Sequence, residues 1–220
     1  MSPDPLETIG ALSALDDPTR RRAYEYVARQ NGPVTRDDVA GALEIGRTLA
    51  AYHLDRLAAG GLLEVGYQRR SGRTGPGAGR PAKVYERSPR EVAVSVPPRD
   101  YGLAAQLLAH AAAHDEHGDV RRALRTAARE LGRETTAAGR EGDTLEPLLR
   151  ERGYEPFDDH GVLRMRNCPF HAAAQRQPEV VCDLNLALIG GMLSELGERK
   201  VKAVLEPGPG RCCVALRQDG

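Results

Sequence analysis

The sequence predicts an α+β protein in three parts: residues 1–95, 96–140 and 141–220. Three observations predict it. Apolar spacing is helical up to Gly60-Gly61 and then gives way to two short strand-like runs around a Gly- and Arg-rich loop. Two helical stretches follow Pro97-Pro98. All four cysteines (Cys168, Cys182, Cys212 and Cys213) fall in the last part, where short strands and one apolar helix are expected.

The elements follow in order. Leu6, Ile9 and Leu12 have helical spacing over residues 5–15. Asp17-Pro18 opens a second helix, with Asp17 as N-cap and Pro18 in the first helical position. Its stripe is Tyr24, Val27 and Ala28, and Asn31-Gly32-Pro33 stops it. Thr35 caps a short helix over Arg36–Leu43, with Asp37 and Asp38 in the turn where the helix dipole favours acids. Gly46 breaks the chain, and a helix over Arg47–Ala59 follows, with Leu49, His53 or Leu54, and Leu57 facing inward. Two short helices around a Gly-containing turn make a helix-turn-helix. Residues 62–67 and 82–87 read as paired strands flanking a long polar loop, Ser71 to Pro81, so that a basic hairpin follows the motif. This is the pattern of a winged helix.

Beyond the Pro97-Pro98 linker, a helix of about 99–117 carries Leu103, Leu107, Leu108 and Ala111 on one side. Another, over 119–138, carries Val120, Leu124, Ala127, Ala128 and Leu131. These helices, 96–140, are read as a dimerisation region. A short helix at 145–152 stops at Gly153. A hairpin over 155–166 turns at 158–161, and a helix over 179–196 carries Cys182, Leu186, Ile189 and Leu193. Strands at 201–205 and 212–216 close the module.

Charge separates the parts. The 220 residues hold 31 basic and 31 acidic side chains, a net charge of zero, which taken alone argues against a nucleic-acid partner. Residues 66–90, however, carry seven basic residues against Glu86, a local charge of +6, leaving −6 elsewhere. A solvated loop accounts for such a run, and so does a footprint for phosphate. No run of apolar residues is long enough for a membrane span, and the acidic N-terminus is unlike a secretory signal. A cytoplasmic protein without a membrane partner is expected.

A helix in the major groove meets a full donor and acceptor code. The second helix of the motif offers Arg47, Thr48, Ala51 and Tyr52, with Arg56 a turn further on. Arg47 suits a guanine edge, Thr48 and Ala51 a thymine methyl, and Thr48 or Tyr52 a phosphate. His53 reads equally as packing beneath the hairpin. Arg69, Arg73, Arg80 and Lys83 supply the basic wing, and Gly79-Arg80-Pro81 presents one guanidinium in a form suited to a narrow minor groove or to a phosphate.

The run from Arg47 to Leu57, Gly60-Gly61-Leu62-Leu63 and the segment from Gly79 to Tyr85 together resemble the winged-helix domain of ArsR-type transcriptional regulators, over about residues 5–90. The resemblance implies a homodimer that binds a double-stranded DNA operator sequence-specifically, most simply as a repressor.

The cysteines are separated by 13 and 29 residues and then adjacent, a spacing of neither a zinc ribbon nor a ferredoxin. Each sits at a junction between elements, where side chains converge. If Cys212 opens a strand, it shares the more apolar face with Val214 and Leu216, and Cys213 points the other way. Buried cysteines also serve simply as small hydrophobes. Asn167-Cys168-Pro169-Phe170, the segment Val181 to Asn185, Gly190-Gly191 and Cys212-Cys213-Val214 resemble the sensor domain of the iron–sulfur repressors of the cluster-assembly (suf) operon. That resemblance implies a [4Fe–4S] or [2Fe–2S] cluster on Cys168, Cys182 and Cys212, with Cys213 or His171 as fourth ligand. Cys168 and His171 also allow a zinc site. His110, His114 and His117 form a second potential metal group or an exposed polar face. No CxxC, dinucleotide fingerprint or Cys-His-acid set points to an enzyme. The remaining alternative is an organic-ligand-responsive regulator with structural cysteines.

Overall fold

The computed structural model describes residues 5–68, 81–95, 99–137 and 144–219. It is an α+β protein with two antiparallel sheets, one of three strands and one of four. The chain divides into two compact units, Met1–Arg99 and Asp100–Gly220. The middle helices expected to stand apart at 96–140 therefore belong to the cysteine-bearing unit.

The first unit contains α1 (Pro5–Ser13), α2 (Pro18–Ala28), β1 (Val34–Thr35), α3 (Arg36–Leu43), α4 (Arg47–Ala59), β2 (Leu63–Gln68) and β3 (Ala82–Arg87). The strand order is β1-β3-β2. Asp17 caps α2 by accepting a hydrogen bond from the Arg20 amide at 2.8 Å. Thr35 and Asp38 close a reciprocal capping box on α3. Ala23, Val27, Val39, Leu43, Ala50, Leu54, Leu57, Leu63 and Tyr85 form the core. The expected inward face of α4 needs one correction. Leu49 is 45% exposed, and Ala50 next to it is fully buried, because the helix packs close to its neighbours on a small residue. β1 pairs Val34 with Tyr85 and Thr35 with Val84; two residues are too few to show a period in sequence.

The second unit contains α5 (Tyr101–Ala113), α6 (Asp119–Ala137), α7 (Leu145–Glu151), β4 (Pro156–Asp159), β5 (Val162–Met165), α8 (His171–Ala174), α9 (Pro178–Glu195), β6 (Val201–Leu205) and β7 (Val214–Gln218). Strand order is β4-β5-β7-β6. The β4–β5 hairpin turns on His160 and Gly161, both at positive φ, as a two-residue turn that matches strand twist requires. Leu149, Tyr154, Met165, Ile189, Met192, Cys212, Val214 and Leu216 build its core.

Three expectations fail here for physical reasons. α5 ends at Ala113 and not at residue 117. Asp115 accepts from the Val120 amide at 2.8 Å, starting α6, and Gly118 turns at positive φ. The stripe Leu103, Leu107 and Leu108 lies outward, 51–69% exposed, while Ala109 and Ala112 are buried. On α6, Val120 and Leu131 are exposed, and Ala128, Gly132 and Thr136 are buried. The reason is backbone proximity. A Cβ at Gly132 would stand 2.1 Å from the Leu188 carbonyl oxygen, and one at Gly191 would stand 2.1 Å from that of Arg129. α6 and α9 thus meet on glycine and alanine, and larger side chains are turned aside.

Candidate metal centre and nucleic-acid interface

The last strand starts at Val214 and not at residue 212, so Cys212 and Cys213 precede it. The alternation expected to separate them does not apply. The Cys212 amide donates to the Met165 carbonyl at 2.8 Å, and the Cys213 carbonyl accepts from the Glu206 amide at 2.7 Å. These bonds set Cys212 beside the end of β5 and Cys213 beside the end of β6. Cys168 follows β5, and its carbonyl accepts from the His171 amide at the start of α8. Cys182 lies near the start of α9.

All four cysteines are free thiols. They form a row of hydrogen-bonded contacts: Cys168 with Cys212, Cys212 with Cys213, and Cys213 with Cys182. Cys212 is 3% exposed, and the other three are half-buried. The Cys168 and Cys213 thiols hydrogen-bond to Cys212 and hold its pKa far below the usual thiol range, against the effect of burial; the Val214 backbone and Asn185 add to this. Donating to Cys212, together with burial, pushes Cys168 and Cys213 up. Of the row, Cys212 is the thiol that gives up its proton most readily.

Two residues to which the sequence reading gave no role complete this region. Asn185, fully buried one turn after Cys182, donates from Nδ2 to Cys212 Sγ at 3.3 Å and to Cys168 Sγ at 3.9 Å. The Tyr154 hydroxyl donates to Asn185 Oδ1. Burial and the neighbouring sulfurs of Cys168, Cys212 and Cys213 push the Tyr154 phenol well up. The signal for Asn185 was a carboxamide on the apolar face that also carries Ile189 and Met192. Tyr154 has no local signal, being 31 residues away.

His171 is not drawn into the thiol row. It is exposed, and its Nε2 accepts from Gln175 at 2.9 Å. The His110 and His114 rings lie tilted against each other with centroids 4.1 Å apart, and His117 lies beyond the end of α5. Among the described residues, no three His, Cys, Asp or Glu side chains are grouped so as to hold one metal ion. The donor chemistry nonetheless fits a thiolate-bound group: soft sulfurs from three chain segments, low solvent access and an N–H donor aimed at sulfur.

In the first unit, α4 exposes Arg47, Thr48, Tyr52 and Arg56, with Ala51 half-buried. Tyr52 is 54% exposed and meets His53 edge-on at 5.4 Å; His53 is buried at 4%, packing inside the unit. Arg47 donates both Nε and Nη2 to Asp37, at 2.6 and 2.7 Å. Its fork is therefore already engaged on α3. Arg56, near the other end of α4, lines a groove of about 540 Å³ with Arg20 and Arg90. Lys83 pairs with Asp55 at 2.5 Å, and the Tyr85 hydroxyl donates to the same carboxylate oxygen at 2.7 Å. Burial opposes ionisation of Asp55, but the bonds from Lys83 and Tyr85 win and hold its pKa low. Burial and the bond to Asp55 push Tyr85 up to about 12. Lys83 thus ties β3 to α4. Arg69, Arg73 and Arg80 lie outside the described residues.

No helix among the described residues is long and apolar enough to cross a membrane. No protein-family model, curated protein or solved structure matches the chain.

Proposed function

We propose that the protein is a cytoplasmic, homodimeric, sequence-specific DNA-binding transcription regulator, acting as a repressor and not as an enzyme. Its second unit would sense redox or iron status through an iron–sulfur cluster on Cys168, Cys182, Cys212 and Cys213. The observation that carries this reading is the meeting of four free thiols from three separate segments beside one buried carboxamide. The helices α2, α3 and α4 with a three-stranded sheet support a winged helix, in which α4 carries base-reading side chains.

A cluster held there would supply a redox-active centre. The chain's own part is to hold it: Cys212 offers the most acidic thiol, and Met165 and Glu206 fix the backbone around it. Asn185 stands behind two of the sulfurs. α9 carries Cys182 and Asn185 and touches α6 backbone to backbone at Gly191, so a shift of α9 is passed to α6. The outward apolar side of α5, with Tyr101, Leu103, Leu107 and Leu108 exposed, supports pairing of two copies. Glutamate at both Leu107 and Leu108 is expected to halve the mass seen by light scattering.

The direct test is oxygen-free purification of the full chain. Broad visible absorption with matching iron and inorganic sulfide is the expected result. Colourless protein with one zinc per chain would replace the cluster by zinc. Metal-free protein whose DNA binding is indifferent to Cys168→Ser with Cys182→Ser would leave an organic-ligand regulator with structural cysteines. DNA reading is tested by selection from a random duplex pool, in which Arg47→Ala should lose about 1–3 kcal/mol of preference at one position.

A further inference from the structure

Asn185 is fully buried and has to place one carbonyl oxygen and two N–H hydrogens without water. Tyr154, 2% exposed, donates its hydroxyl to the oxygen. With Oδ1 so occupied, the NH2 group is turned toward the thiols. It lies 3.3 Å from Cys212 Sγ and, on a longer contact, 3.9 Å from Cys168 Sγ. A neutral thiol sulfur is a weak acceptor, so this arrangement returns little as packing; two apolar side chains of the same shape would serve the fold nearly as well. A sulfur that carries negative charge, as a metal ligand does, is a far better acceptor.

We infer that Tyr154 and Asn185 form a positioning pair for metal-binding thiolates, in which Tyr154 sets the amide's orientation and Asn185 directs N–H donors onto the ligand sulfurs of Cys212 and Cys168. The inference rests on the metal reading of the thiol row given above. Donors to ligand sulfurs tighten metal binding and raise the reduction potential of a sulfur-ligated cluster, because they stabilise charge on sulfur. The two residues come from different elements, the turn after α7 and the middle of α9. Their meeting therefore depends on the fold and fixes the amide before any metal arrives.

The experiment uses the full chain, reduced and oxygen-free, with cobalt(II) as probe. Sulfur-to-cobalt charge-transfer absorption reports ligation by thiolate. Asn185→Leu keeps the volume and removes the donors; cobalt affinity should fall about ten-fold or more, with the charge-transfer bands displaced. Tyr154→Phe removes one oxygen and leaves the ring in place; it should weaken cobalt a few-fold in the same direction. After reconstitution with ferrous iron and sulfide, it should also lower the midpoint potential. Wild-type affinity, band positions and potential in both variants would overturn the inference. If Asn185→Leu does not fold by circular dichroism, Tyr154→Phe alone decides. A wild-type chain that gives no charge-transfer bands with cobalt and no visible absorption with iron and sulfide would bring down the metal reading itself, and this inference with it. Wild-type binding with unchanged variants removes the inference alone.

Discussion

Each unit contains a polar knot tied by a tyrosine hydroxyl, and the two knots end differently. On α4, Asp55 accepts from Tyr85 and is paired with the ammonium of Lys83, and both charged side chains keep substantial solvent contact. Every strong donor and acceptor there meets a strong partner, and the result joins α4 to β3. In the second unit, Tyr154 meets Asn185, but the chain then runs out onto the sulfurs of buried Cys212 and half-buried Cys168. A knot closed by matched partners is explained by the architecture it holds. A buried knot that ends on weak acceptors is arranged for a charge those acceptors carry in another chemical form. That difference separates a structural network from a functional one.

The units also differ in how closely their helices approach, and the largest expected effects probe this. Gly132→Val or Gly191→Val places carbon against a backbone carbonyl with no flexible neighbour to yield. α6 and α9 must then separate, at a cost of about 3 kcal/mol or more. The same kind of change in the first unit behaves oppositely. Gly41 lies inside α3, and an added Cβ meets nothing within 4 Å. Gly41→Ala should stabilise by about 0.5–1 kcal/mol, through helix propensity alone. Urea midpoints of the three variants check the contrast, and equal destabilisation by all three would erase it.

Asp55→Asn comes next. It leaves Lys83 without its partner and should cost about 1 kcal/mol, limited by the solvent around the pair. The pH dependence has a definite sign. The pKa of Asp55 is lowered in the folded chain, so its contribution is fully present above the ordinary carboxylate value of 3.8 and is lost as pH falls through the lower folded value. Wild type and Asp55→Asn should therefore differ in urea midpoint at pH 6 and converge in strong acid. A constant gap down to the lowest pH would remove the ionised pair as the cause.

How far the sequence discloses these features follows from how local their causes are. The caps Asp17 and Thr35 act within three residues, and the His160-Gly161 turn within two, so each is legible in the chain. The outward side of α5 is not. Its period identifies an apolar stripe, but Leu103, Leu107 and Leu108 remain outside because small residues, Ala109 and Ala112, make the close contacts. The thiol row was half legible. Four clustered cysteines suggested convergence, but a single misplaced strand boundary put Cys213 on the wrong face. The partnership of Tyr154 with Asn185 is invisible locally, because it exists only once β4, β5, β7 and α9 are assembled.

The smallest expected change in stability belongs to Asp37→Asn, which bears on the first unit's other charge pair. Arg47 and Asp37 bond at 2.6 and 2.7 Å, yet their side chains are 67% and 41% exposed, so breaking the pair should cost under about 0.5 kcal/mol. Its effect on DNA should be larger than its effect on folding. The guanidinium edge that holds Asp37 is the edge that would read a guanine, and it cannot do both at once. A carboxylate beside α4 would also repel the phosphates of a duplex seated there. Asp37→Asn is therefore expected to raise affinity for the selected duplex a few-fold, with the urea midpoint almost unmoved. A fall in affinity would reverse the role of the pair, making Asp37 the group that aims Arg47 into the groove and linking the first unit's surface charges to function as closely as Asn185 is linked to the thiols of the second.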